Sequence, residues 1–172
     1  MRKVVLIGYM GCGKSIVAQT LADNIGVSCL ELDDFIEKKS EMTIEKIFSS
    51  KGELYFRKLE NQLFLDLLKE KNDLIISTGG GTPCYFNNHE LLNAENVVSV
   101  YLKASVDTLC SRLINEKQKR PLIAHLDDTE LKDFIAKHLF DRSFYYNQAT
   151  FKINVDGKSV DEITAEIAKL LT

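Results

Sequence analysis

The stretch Gly8-Tyr9-Met10-Gly11-Cys12-Gly13-Lys14-Ser15 decides the fold of this chain. An apolar run, Val4, Val5, Leu6 and Ile7, leads into it, and Val17, Leu21 and Ile25 follow at helical spacing, so the local order is buried strand, glycine loop, helix. Gly8 and Gly13 with Lys14 and Ser15 have the spacing of a loop that cradles phosphate, in the strand-to-helix context such a loop requires. Its backbone N–H groups can turn inward, and the following helix brings the positive end of its dipole to the same point. A polyphosphate suits that geometry: Lys14 can reach the β- and γ-phosphates as a point charge, and the Ser15 hydroxyl can ligate the Mg²⁺ that accompanies them.

Downstream of the first helix, Gly26 is a helix stop and Ser28 to Leu32 reads as a second strand, with Glu31, Asp33 and Asp34 crowded at its end. Carboxylates there can face the phosphates and their metal, or can start the helix that contains Phe35 and Ile36. Asp34 is expected to be that cap, and Asp33 stays open between the two roles. Thr43 is expected to cap the next helix, and Gly52 separates it from a longer one. In that longer helix Phe56, Leu59, Leu63 and Leu67 form an apolar stripe, broadened by Leu54, Phe64 and Leu68. Arg57 beside the stripe reads, as a lone arginine, as a solvated or ion-paired group.

Leu74 to Ser77 is a compact strand running into Thr78-Gly79-Gly80-Gly81. Three glycines are costly to order, so they fit a place where backbone must approach a ligand closely, a flexible loop being the plain alternative. Val97 to Leu102 is a further buried strand, Ser105 to Ile114 a helix, and Asn115 to Pro121 the most basic and polar segment of the chain. That segment is a solvated loop by default, or a mobile lid that carries an arginine over the phosphates. Asp127 or Thr129 starts another helix, with Arg142 near its end. Thr150 to Val155 gives a last strand, and Ser159 with Glu162 makes a capping box for the final helix.

The count is five strands with helices between them and short connections at one edge. The fold class expected is α/β: a three-layer α/β/α sandwich around a five-stranded parallel sheet, one domain over residues 1–172. A net charge of −3 argues against a general nucleic-acid or anionic-membrane binder, though local basic clusters can still bind anions, and no apolar run is long enough to span a membrane. Cys12, Cys29, Cys84 and Cys110 form no framework, and His89, His125 and His138 stand at no metal-ligand spacing with them. Reduced thiols in a cytoplasmic protein, without a zinc site, are the expectation. Since no apolar helix face is left over, so is a monomer.

These motifs together resemble the shikimate kinases, small members of the P-loop kinases related to nucleoside monophosphate kinases. The resemblance runs almost end to end: the glycine loop, Asp33-Asp34-Phe35-Ile36-Glu37, Phe56-Arg57 with Glu60, Ser77-Thr78-Gly79-Gly80-Gly81, Arg120-Pro121-Leu122, and Arg142 with Tyr145. It implies ATP-dependent phosphorylation of the 3-hydroxyl of shikimate in aromatic amino-acid biosynthesis, with Mg²⁺ as cofactor. By the same resemblance Gly11, Cys12, Gly13, Lys14, Ser15, Ile16 and Arg120 contact ATP, Arg120 arriving on a lid over about residues 115–126. Asp33, Arg57, Gly79, Gly80 and Arg142 would hold the acceptor, with Lys14, Asp33 and Arg120 carrying the chemistry. Glu31 departs from the family's aspartate at a position associated with magnesium through bound water. Around Arg112 and Lys158, where the family places the adenine, the match is loose. The rival expectations are another small-molecule kinase of this architecture, such as a gluconate kinase, and a nucleotide-binding module without transfer activity.

Overall fold

Strand β1 (Lys3–Ile7) is buried along its whole length: Val4 to Ile7 are the unbroken apolar run of an inner strand in a parallel sheet, and the Lys3 ammonium is satisfied by Asn72. The computed structural model describes residues 2–171. Around β1 it sets β2 (Ser28–Glu31), β3 (Leu74–Ser77), β4 (Val97–Lys103) and β5 (Phe151–Asn154) in the order β2-β3-β1-β4-β5, every neighbouring pair parallel. The helices are α1 (Lys14–Ile25), α2 (Leu32–Ser40), α3 (Ile44–Lys51), α4 (Glu53–Lys69), α5 (Asn88–Leu91), α6 (Val106–Ile114), α7 (Asp128–Tyr146) and α8 (Val160–Leu171). The crossover through α1 runs from β1 toward β2, opposite to the other crossovers, so right-handed connection puts α1 on one face and α2 to α7 on the other. Helix α8 packs against α1, completing the three layers.

Three helix starts follow the capping chemistry expected of them. Thr43 Oγ1 accepts from Lys46 N at 3.2 Å. Asp127 and Glu130 bond reciprocally at 2.8 Å each way, as do Ser159 and Glu162 at 3.2 and 2.7 Å. Each such cap contributes about 1 kcal/mol.

Two expectations are corrected. β2 ends at Glu31, and Leu32 opens α2 with no turn between, because Leu32 and Ile36 are both fully buried on one helix face. Glu31 therefore occupies the cap position, and Asp34 lies inside the first turn beside Asp33, where the helix dipole favours carboxylates. Leu54 is 64% exposed: two residues before Phe56 it points roughly 160° away from it around α4, off the stripe that buries Phe56, Leu63, Phe64 and Leu67. The four cysteines are free, and among the described residues no helix is long and apolar enough to cross a membrane.

Candidate active site

The connection after β1 leads toward β2 and that after β4 toward β5, so the chain parts at the C-terminal end of β1 and a crevice opens there. Register levels its rim: Leu6 pairs with Ser77, and Ser77 with Glu31.

The glycine loop forms one wall. Gly8 has φ 151°, and a Cβ there would come within 2.8 Å of both Cys12 Sγ and Leu102 O, so glycine is required twice over. Lys14 is folded back, its ammonium donating to Gly8 O at 2.8 Å and Tyr9 O at 3.1 Å. Met10, Gly11, Gly13, Lys14, Ser15 and Ile16 face a cavity of about 470 Å³ whose far side carries Glu31, Asp33, Ser77, Gly79 and Gly80, and whose outer side carries Arg112, Glu116 and Arg120. Cys12 alone of the expected ATP contacts is turned away. Its thiol is buried and its N–H is given to Tyr9 O at 3.2 Å, which leaves it packing under the loop and inaccessible to oxidants. Arg112 closes the loop from outside through bonds to Gly11 O and Cys12 O at 3.2 and 3.1 Å. Lys158, by contrast, is paired with Glu166 at 2.7 Å and does not line this cavity.

A second cavity, of about 250 Å³, adjoins the first and shares Met10, Asp33, Gly79 and Gly80 with it. Arg57 and Arg142 both face it. Arg57 is no solvated arginine: its Nη1 donates to Glu60 at 2.9 Å, its guanidinium lies 4.0 Å from the Tyr85 ring centre, and its buried Nε is ion-paired with Glu53 at 3.7 Å but makes no hydrogen bond. A planar, clamped guanidinium with an unspent donor suits a carboxylate. The loop Gly79 to Gly81 uses no left-handed backbone. Its glycines serve close approach: a Cβ on Gly80 would lie 3.1 Å from Arg142 Nη1, and one on Gly81 only 2.6 Å from Arg57 Nη2.

Asp33, at the junction of the two cavities, makes no hydrogen bond among the described residues, so its oxygens are available to a ligand. Burial, and after it the Glu60 carboxylate, pushes its pKa up to about 6 against the pull of Lys14 and Arg57. The basic segment 115–126 spans both cavities: Glu116 and Arg120 line the first and Leu122 the second, while fully buried Ile123 roots the segment in the core. Arg120 is held by Glu116, at 2.9 Å from Nη2 and 3.3 Å from Nε.

Glu60 is the functional-site residue that a lone-arginine reading of Arg57 overlooks. It is 1% exposed, takes Arg57 on one oxygen and Thr82 Oγ1, at 2.7 Å, on the other, and so ties Arg57 to the end of the Gly79 to Gly81 loop. Its signal was a carboxylate standing in the middle of the α4 apolar stripe, where a charge survives only if paired.

The Shikimate kinase family model matches residues 10–172. A shikimate kinase from Flavobacterium johnsoniae is 56% identical over 99% of both chains, and one from Flavobacterium psychrophilum is 45% identical over 99% of both. Among solved structures, the shikimate kinase of Bacteroides thetaiotaomicron superposes with a TM-score of 0.90 at 33% identity, covering 99% of this chain and 98% of that one. The shikimate kinase of Acinetobacter baumannii, in complex with shikimate, gives 0.86 at 29% identity, covering 99% and 93%.

Proposed function

This chain belongs to the shikimate kinase family, and from that premise we propose how its two cavities transfer the γ-phosphoryl group of ATP to the 3-hydroxyl of shikimate. The observation that carries the reading is the shared wall: Asp33, Gly79 and Gly80 border both the cavity under the glycine loop and the one holding Arg57 and Arg142. A phosphoryl donor in one and a hydroxyl acceptor in the other meet at Asp33.

The acceptor's carboxylate is taken by Arg57 and Arg142, while the backbone of Gly79 and Gly80 and the Asp33 carboxylate hold its hydroxyls. Asp33 orients the attacking hydroxyl and accepts its proton as the bond to phosphorus forms. Because charge in the transition state spreads over the transferred group, the rest of catalysis is alignment and cations. Lys14 exchanges the carbonyls of Gly8 and Tyr9 for phosphate oxygens. Arg120 leaves Glu116 for the γ-phosphate as the 115–126 lid closes, and closure excludes water that would otherwise hydrolyse ATP.

The donor set fits Mg²⁺: Ser15, Glu31 and the buried, unpartnered Ser77 Oγ line the donor cavity with oxygen, the ligand type of a hard cation that keeps several waters. Ser15 would bind it directly and Glu31 through water. When bound, it neutralises charge on the β- and γ-phosphates. Glu31 is one methylene longer than the aspartate usual in the family, so Glu31→Asp is expected to shift the magnesium concentration at half-maximal rate by about threefold or more. A titration of rate against Mg²⁺ that superposes on that of the parent enzyme would sink this role. A monomeric, cytoplasmic enzyme of one domain over residues 1–172 completes the proposal, supported by its four free thiols.

The test is ADP release by the purified enzyme with MgATP and shikimate, gluconate or no acceptor. Release that depends on shikimate is expected. Equal release without acceptor, or release with gluconate alone, overturns the assignment.

A further inference from the structure

Tyr9 stands in the glycine loop, yet its side chain leaves the phosphate side altogether. The ring is 1% exposed, lies under Arg142 with the guanidinium carbon 5.6 Å from its centre, and meets the His138 ring edge-on at 5.7 Å. Its hydroxyl is 3.0 Å from His138 Nδ1, the one polar partner of that hydroxyl among the described residues. His138 sits one turn before Arg142 on α7, is gripped on its other side by Phe134 at 4.9 Å, and lines the acceptor cavity. Nothing in the transfer mechanism above uses either side chain.

Resting on that mechanism, we propose that Tyr9 and His138 are a positioning pair: the Tyr9 hydroxyl donates to Nδ1, fixes the imidazole as its Nε2–H tautomer, and holds α7 with Arg142 in register with the phosphate loop. The direction of the bond follows from the chemistry of both groups. Burial pushes the Tyr9 phenol up to about 12, so it keeps its proton and has Nδ1 to give it to. Burial, and behind it the Arg142 charge, holds the imidazolium of His138 below its usual range, so near neutral pH the ring is neutral and one of its nitrogens is an acceptor; because the buried phenol proton has no other partner among the described residues, that nitrogen is Nδ1. The tie is placed where it matters for alignment. Through its carbonyl Tyr9 accepts from Lys14, and through its hydroxyl it reaches the helix that carries Arg142. On the opposite side the same helix is pinned to the glycine-rich loop by Tyr146, whose hydroxyl donates to Gly80 O at 2.6 Å. In the free enzyme the donor-side and acceptor-side cations are thus joined by one residue, and once Lys14 turns to the phosphates Tyr9 still ties the glycine loop to the helix that carries Arg142.

Each half-site keeps its own ligands without this bond, so its loss should disturb the alignment of the two substrates more than the binding of either. Tyr9→Phe keeps the buried ring and removes only the hydroxyl. It is expected to lower kcat about fivefold to twentyfold, with the KM values for ATP and shikimate changed less than twofold. His138→Phe should do the same, and the double variant should be no slower than either single one. In parallel, ¹⁵N imidazole shifts are expected to show the Nε2–H tautomer in the parent enzyme and a mixture in Tyr9→Phe. An unchanged kcat, a rise in KM with kcat intact, or additive losses would overturn the pair. If the parent enzyme does not turn over with shikimate, it is the substrate reading that falls. The tautomer measurement then decides the pair alone, a mixture in the parent enzyme counting against it.

Discussion

Asp33→Asn is expected to cut kcat by roughly three orders of magnitude and at the same time make the protein more stable. The rate loss follows from position. Asp33 is the group at the junction of the two cavities, and an amide there can still hold an acceptor hydroxyl but cannot take its proton, a contribution of about 10² to 10⁴. The stability gain follows from what holding a charge at that junction costs. Burial and the neighbouring Glu60 push the Asp33 pKa from 3.8 to about 6, which places the cost of its ionised form at roughly 3 kcal/mol. Asparagine removes that cost but must bury an amide with incomplete partners, leaving a net gain of about 1–2 kcal/mol, or about 3–6 °C in Tm for a chain of this size.

The pH dependence separates this account from a generic surface effect. Between pH 3.8 and about 6 the unfolded chain has released the proton while the folded one retains it, so wild-type stability from this group falls as pH rises through that window and is level above it. The advantage of Asp33→Asn should therefore be small near pH 4, grow to pH 6 and stay constant to pH 8. Thermal melts of both proteins across that range check it. An advantage that is largest at pH 4, or a variant that melts below wild type at pH 8, contradicts the assignment of a strained carboxylate. In the wild type, kcat/KM should fall below about pH 6 as Asp33 takes up its proton.

Much of this site was legible before the fold was known, and what was not has a common cause. The period of the apolar residues marks β1 and its following helix, and parallel strands put their ends on one rim, so Gly8 to Ser15, Glu31 to Asp33 and Ser77 to Gly81 could be brought together on paper. What periodicity does not carry is which neighbour a polar side chain will meet. Arg57 read as a solvated or ion-paired group, and the pairing with Glu60 bears out the second; its burial did not show because Tyr85, over which it lies, comes from a loop more than twenty residues away. Asp34 read as a cap because the abrupt passage from β2 to α2 is decided by burial of Leu32, a tertiary fact. Tyr9 carried no signal of its own in the phosphate loop, since its partner stands 129 residues on. Helix angles alone would have flagged Glu60 at the centre of the α4 stripe and Leu54 well off it.

Lys14→Met is expected to abolish measurable turnover, a loss of 10³-fold or more, and the structure says why a near-isosteric apolar chain cannot substitute. Lys14 is 9% exposed, and in the proposed mechanism its ammonium does two jobs in sequence. In the free enzyme it satisfies Gly8 O and Tyr9 O, two carbonyls that curl inward because the loop needs its N–H groups facing the phosphates. With ATP bound it must give up those carbonyls for phosphate oxygens, and in the transition state its charge is among the few cations facing the transferred group. Methionine fills the volume but leaves both carbonyls without a donor, at about 1–3 kcal/mol each where they are buried, and supplies no charge at the reacting centre. Lys14→Arg should not rescue the loss: its charge is retained, but a wider planar fork does not fit between two carbonyls within about 3 Å of one point, and Arg112 already occupies the outer side of the loop. Isothermal titration with ATP and single-turnover assays separate the two jobs. Weaker ATP binding together with a slower transfer step is the expected result. A variant that binds ATP as wild type does and transfers within tenfold of its rate would show that Lys14 only props the loop, and the catalytic cations would then have to be Arg120 and Arg112.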